Sequence, residues 1–186
     1  MYTGNGKGKT TAAIGLAIRA LGAEKKVMLL QFMKAKAYSE HNILSTISED
    51  LTVETFGKPF FIVKKGSTED KLGKEKEKAV IFSLGKPPLE YLKVVNKGVV
   101  RAKEVIASGK YDVVILDEII VALHFNLVTW EQVKDLIDSK GEGMELVLTG
   151  RGAIPELIER ADLVTEMREV KHYFRQGVEA RKGIEK

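Results

Sequence analysis

The sequence predicts an α/β fold with a mostly parallel central sheet flanked by helices, and three observations predict it. Short apolar runs alternate with segments of helical periodicity from one end of the chain to the other. Two of those runs, "VVILDEI" at 113–119 and "MELVLTG" at 144–150, are apolar enough to be buried on both faces, as strands of parallel sheets are. A glycine-rich stretch, "TGNGKGKTT" at 3–11, stands directly before an apolar helix, the order in which a phosphate-holding loop meets its supporting helix.

Taken in order, Ala12, Ile14, Leu16, Ala17 and Leu21 recur at helical spacing after the loop, and Gly22 is a suitable stop, so a helix spans 10–21. "VMLLQF" at 27–32 and "LTVETF" at 51–56 read as strands, with a helix at 41–48 between them. Helices follow at 88–107, 129–138 and 154–160, and Thr129 and Gln132 have the spacing of a capping box. "ADLVTEM" at 161–167 is a weaker strand. Residues 57–88 break the rhythm, mixing an aromatic pair, dense Lys and Glu, and Gly and Pro punctuation. Composition there fits a solvated excursion with a charged helix; the functional reading is a mobile cover over a ligand.

A chain of 186 residues suits one domain, 1–186, with a real core. Its 44% hydrophobic and 30% charged residues are the mix of a soluble globular protein. The formal charge of +4 favours anionic ligands, but the 30 basic and 26 acidic side chains are interspersed, which argues against a nucleic-acid groove. With 0 cysteines, disulfides and thiol catalysis are excluded and a reducing, cytoplasmic setting fits. No apolar run reaches the ~18 residues of a membrane helix, and no export leader precedes the loop.

The loop is a near match to G-x-x-x-x-G-K-[ST], with Gly8, Lys9 and Thr10 in register and Thr3 where the first glycine usually stands. Gly4, Gly6 and Gly8 let successive N–H groups around Asn5, Lys7 and Thr11 turn toward phosphate oxygens, and the helix adds its positive end. Lys9 would reach the outer phosphates and the Thr10 hydroxyl would bind Mg²⁺. A buried strand should lead into such a loop, yet only Met1 and Tyr2 precede Thr3. Either that strand is vestigial or the natural chain starts further upstream. Asp117 and Glu118 end the most apolar strand; Asp117 is the expected second anchor of Mg²⁺, and Glu118 is open between polarising water and contacting metal or ribose.

These stretches, with "QFMK" at 31–34, "LTGRGA" at 148–153 and above all "ADLVTEMREVKHYFRQGVEARKGIE" at 161–185, resemble the P-loop ATP:corrinoid adenosyltransferases of cobalamin synthesis and salvage, over nearly the whole chain. The resemblance implies a RecA-like P-loop domain, often a homodimer. It implies that ATP is the co-substrate and that its 5′-deoxyadenosyl group moves onto the Co(I) of a corrinoid, with triphosphate released and ATP lying reversed in the loop. A separate reductase would take Co(II) to Co(I). That chemistry needs no protein nucleophile, since reduced cobalt is one already. Lys34 and Arg151 then fall at strand ends within reach of phosphate or ribose, although an Arg or Lys there is as often solvated. The family uses aromatic residues of the covering segment to displace the lower axial ligand of Co(II). Phe60 and Phe61 stand at about that place without the Trp often found there, and an apolar plug under a loop is the competing reading. Trp130 reads as packing, and His41, His124 and His172 lack metal spacing and read as structural or solvated. An ATP hydrolase or small-molecule kinase, and an ATP-gated nucleic-acid-binding module, are the rival readings; neither explains residues 161–185.

Overall fold

The computed structural model describes residues 1–35, 38–64, 79–83 and 86–185, with side chains for all of these but 61, 63, 64 and 79. The chain runs β1 (Tyr2–Thr3), α1 (Lys9–Leu21), β2 (Val27–Phe32), α2 (His41–Leu44), β3 (Leu51–Phe56), β4 (Phe61–Lys64), β5 (Ala79–Phe82), α3 (Leu89–Ser108), β6 (Val113–Asp117), α4 (Ile119–His124), α5 (Trp130–Asp138), β7 (Glu145–Leu148), α6 (Pro155–Arg160) and β8 (Thr165–Glu166), then a 3-10 turn at Tyr173–Gln176.

Four strands pair in the order β3-β2-β6-β7, all parallel. A parallel bridge from Tyr2 to Thr149, and the Gly150 N–H donated to Tyr2 O at 3.2 Å, carry the surface on to β1, which pairs in parallel with β8. The short leading strand therefore exists, and β7 separates it from the strand that ends in Asp117. This is a RecA-like P-loop arrangement.

Side chains alternate across this sheet because strand residues point to opposite faces with a period of two. Val27, Leu29, Val113, Ile115 and Val147 pack with Ala13, Ala17 and Ala20 of α1. Those alanines recur one helical turn apart, and their small side chains bring the helix close to the strands. Met28, Leu30, Phe32, Val114, Leu116 and Leu148 face the other way, onto Tyr91, Val95, Ala102 and Ile106 of α3 and the apolar sides of α4 and α5. Each such large apolar side chain, once fully buried, contributes about 1.5–3 kcal/mol of transfer free energy.

Outside 57–88 the expected strands and helices are present with shifted ends. The 41–48 helix shortens to four residues, and the strand at 161–167 to two. The capping box forms as its spacing predicts: Thr129 Oγ1 accepts from Gln132 N–H at 3.2 Å, and Gln132 Oε1 accepts from Thr129 N–H at 2.9 Å. Trp130 packs half-buried against the core. Within 57–88, β4 and β5 pair in parallel, and Ile62 and Phe82 are buried in the core. Residues 65–78, 84 and 85 of that segment lie outside the described residues. No helix among the described residues is long and apolar enough to cross a membrane.

Candidate functional site

Strand register assembles the site. Gln31 is aligned with Asp117 across β2 and β6, and Leu116 with Leu148 across β6 and β7, which sets Thr149 beside Asp117. By the alternation just described, Gln31, Asp117 and Thr149 follow Leu29, Ile115 and Val147 onto the face that α1 covers. All three are fully buried, and they converge on one carboxylate. Asp117 Oδ1 accepts from Thr149 Oγ1 at 2.7 Å and from Thr10 Oγ1 at 2.9 Å. Its Oδ2 accepts from Lys34 Nζ at 2.9 Å and from Gln31 Nε2 at 3.1 Å. Burial pushes the Asp117 pKa up, but the Lys34 charge and these hydrogen bonds outweigh it and hold the group below its ordinary value. Asp117 is thus a carboxylate with every face engaged.

Glu118 departs from the strand with a φ of 63°, and its N–H donates to Thr149 Oγ1 at 3.0 Å. Burial, then the neighbouring Asp117 charge, raises its pKa. Behind Gln31, His41 Nε2 lies 2.5 Å from Gln31 Oε1, which directs the Gln31 amide N–H toward Asp117.

The loop is shaped from behind. Gly8 caps α1 with a φ of 111°, a conformation that side-chain-bearing residues rarely adopt. A Cβ on Gly4 or Gly6 would stand 2.5 or 2.7 Å from Met167 O, because the segment after β8 lies flush against the loop. Gly6 donates its N–H to that same oxygen at 2.6 Å, so this N–H faces the supporting segment and not a phosphate. Lys9 is 5% exposed and curls back, donating from Nζ to Gly6 O at 2.7 Å and Gly4 O at 2.8 Å. Desolvation, then Arg151, lowers its pKa.

A cleft of about 1000 Å³ opens over the loop. Gly6, Lys7, Gly8, Lys9, Thr10 and Thr11 form its floor, with Lys34, Glu118 and Arg151 at the strand ends. Tyr38, Ser39 and Glu40 make one wall; His172, Phe174, Arg175, Ile184 and Glu185 make the other. Lys7 belongs to that second wall: its Nζ donates to Glu185 Oε1 at 2.9 Å and to Tyr173 Oη at 3.2 Å.

The structure therefore gathers Lys7, Lys9, Thr10, Thr11, Lys34, Glu118 and Arg151 around one cleft, with Asp117 buried beneath it and hydrogen-bonded to Thr10 and Lys34. Asn5 is exposed on the loop. Phe60 is not among the residues lining the cleft; it packs edge-on against Tyr91, ring centroids 5.4 Å apart, and its carbonyl accepts from Tyr91 Oη at 2.8 Å. The Phe61 side chain lies outside the described residues. Gln31 and Thr149 are contributors to which motif reading assigns no role, and the 172–185 stretch, read only as part of the block that carries the resemblance, forms a wall of the cleft. The first two leave a signal, a polar residue closing an otherwise apolar buried run. Thr10 and Asp117 supply hard oxygen donors that suit Mg²⁺. Among the described residues no cluster of three or more His, Cys, Asp or Glu could hold a metal alone, so further ligands would come from phosphate and water.

A family model described as ATP:corrinoid adenosyltransferase BtuR/CobO/CobP matches residues 1–185. The chain is 33% identical over 186 residues to a corrinoid adenosyltransferase of Escherichia coli (strain K12), covering 100% of this chain and 83% of that protein. It is 31% identical to the corrinoid adenosyltransferase CobA of Salmonella typhimurium (strain LT2), with the same coverage, and 32% identical to a corrinoid adenosyltransferase of Pseudomonas aeruginosa, covering 100% of this chain and 81% of that protein. The match spans the loop, the Asp117 strand end and the wall at 172–185 alike, and the chain belongs to the ATP:corrinoid adenosyltransferase family.

Proposed function

We propose that the chain transfers the 5′-deoxyadenosyl group of ATP to the Co(I) centre of a corrinoid and releases triphosphate. Cobalt contributes the electron pair of the new Co–C5′ bond, and the C5′–O bond breaks with its pair leaving on the triphosphate. The observation that carries this reading is the family match over residues 1–185; in keeping with it, Asp117 is engaged by four donors, from Thr10, Thr149, Gln31 and Lys34. A carboxylate so engaged orients and neutralises; it does not take a proton from water or from a substrate hydroxyl. The reaction proposed asks for no such base, because the nucleophile arrives with the substrate. The cleft volume lies at the upper end of the usual range for small-molecule sites, about 300–1,000 Å³, enough for the nucleotide.

In this reading the loop and the ammonium of Lys9, released from the Gly4 and Gly6 carbonyls, hold the leaving triphosphate, with Arg151 and Lys34 at its flanks. Thr10 and Asp117 would hold Mg²⁺, which supplies Lewis-acid stabilisation of the departing oxyanion. Residues 57–88 would cover the corrinoid, with Phe60 or Phe61 toward the lower face of cobalt. A separate reductase to deliver the electron is carried over from the family resemblance. A homodimer is carried over from the family resemblance, and a cytoplasmic setting from the absence of cysteine.

The test is anaerobic incubation with ATP, Mg²⁺ and chemically reduced cobalamin, followed by the visible spectrum and anion analysis. Triphosphate and adenosylated corrinoid should form in equal amounts, and both should fall together in Lys9→Ala. Orthophosphate or ADP as the main product, with no cobalt–carbon bond, would overturn the reading in favour of a hydrolase or kinase.

A further inference from the structure

We infer that Lys34 is the resident counter-cation of the Thr10–Asp117 metal site, holding it in the absence of metal and withdrawing when Mg²⁺ binds. The inference rests on the metal reading just proposed. Lys34 Nζ lies 2.9 Å from Asp117 Oδ2 and 3.2 Å from Thr10 Oγ1, while Thr10 Oγ1 is itself 2.9 Å from Asp117 Oδ1. The ammonium thus faces the same two groups that would ligate the metal. The remaining donors to the carboxylate come from Gln31 and Thr149 on the flanking strands.

The placement of Lys34 is built into the backbone. Met33 turns out of β2 with a φ of 60°. Across from it Gly57 lies so close that a Cβ there would stand 2.4 to 2.6 Å from Lys34 N, C and O. The Lys34 side chain is 11% exposed, and Asp117 is 0% exposed. A buried carboxylate that loses a cationic partner is strongly destabilised, so a protein that must bind and release Mg²⁺ needs a charge to stand in for it.

A divalent cation on these two oxygens would lie within a few ångströms of the ammonium, and the two repel. Lys34 has somewhere to go. Glu40 Oε1 is 3.9 Å from Nζ, and the Tyr38 ring centroid is 5.2 Å away, both on the cleft wall. Swinging toward that wall keeps the charge paired and turns the ammonium toward the space the triphosphate would enter.

The experiment measures Mn²⁺ binding by electron paramagnetic resonance on the full chain without nucleotide. Lys34→Met and Lys34→Gln should each tighten Mn²⁺ binding, on the order of tenfold, because a competing charge is gone. Lys34→Arg, which keeps the charge, should stay near the native value. Adding Asp117→Asn to either neutral variant should abolish the gain. Native or weaker Mn²⁺ affinity in both neutral variants, with Asp117→Asn still reducing it, would overturn the counter-cation role and leave the metal reading standing. Mn²⁺ affinity indifferent to Asp117→Asn in every background would overturn the metal site itself.

Discussion

Gly57 sits against the backbone of Lys34 with no room for a methyl group. Its missing side chain therefore sets how near the ends of β2 and β3 can lie, and so where Lys34 meets Asp117. Gly57→Ala should cost about 1–3 kcal/mol of stability in urea unfolding and should weaken ATP binding as the Lys34 loop shifts. Unchanged stability would show that the strand ends part without consequence. At this scale much was legible in advance. Thr10, Asp117 and Lys34 follow from a motif and two strand ends, because strands of a parallel sheet deliver their last residues to one edge. The return of Lys9 onto the Gly4 and Gly6 carbonyls was not legible, since it depends on the loop being pressed into shape by residues more than 150 positions away.

Among the elements, those with a local code were read closely and those held by distant partners were not. Thr129 and Gln132 begin α5 through their own side chains, so spacing alone reveals that helix start. The four-residue α2 and the two-residue β8 owe their extent to what they lie against. The wall at 172–185 is the clearest case: Tyr173 and Arg181 stack, with 4.7 Å from the guanidinium to the ring centroid, and Glu185 joins Arg181, Tyr173 and Lys7 of the loop. Hydrogen bonds from Arg181 first, then Tyr173, hold the Glu185 carboxyl well below the ordinary 4.5. For a carboxyl depressed in this way the stabilisation is fully present above 4.5 and is lost as pH falls through the lowered value. The wall should therefore stay closed at neutral pH and loosen only in acid. Because the Arg181 and Lys7 side chains that pair with Glu185 are exposed, the effect is modest and screened by salt. Glu185→Gln should speed tryptic cleavage after Arg181 at pH 8 by roughly two- to fivefold, and less at high salt. A cleavage rate identical to native at low salt would mean that backbone packing alone holds the wall.

At the scale of the molecule, the two ends of the chain meet on the loop. Alternating elements predict a parallel sheet, but nothing local says that β1 is flanked by β7 on one side and β8 on the other; that order is a property of packing. It has a consequence for function, because the nucleotide loop leans on a segment that comes from the far end of the sequence. Thr165 N–H donates to Met1 O at 3.0 Å, Met167 N–H to Thr3 O at 2.8 Å, and Gly6 N–H to Met167 O at 2.6 Å. The β3-β2-β6-β7 core with α1 and α3 does not depend on these bonds, so loop geometry and core stability should be separable. Met167→Pro removes the N–H given to Thr3 and disfavours the backbone that aims Met167 O at Gly6. We expect ATP affinity to fall about tenfold or more. The free energy of the main urea unfolding transition should change by only about 1–2 kcal/mol, the loss of one or two hydrogen bonds at the sheet edge. Native ATP affinity in Met167→Pro would show that the loop holds its shape from α1 alone, and a collapse of the main transition would show that β8 belongs to the cooperative core.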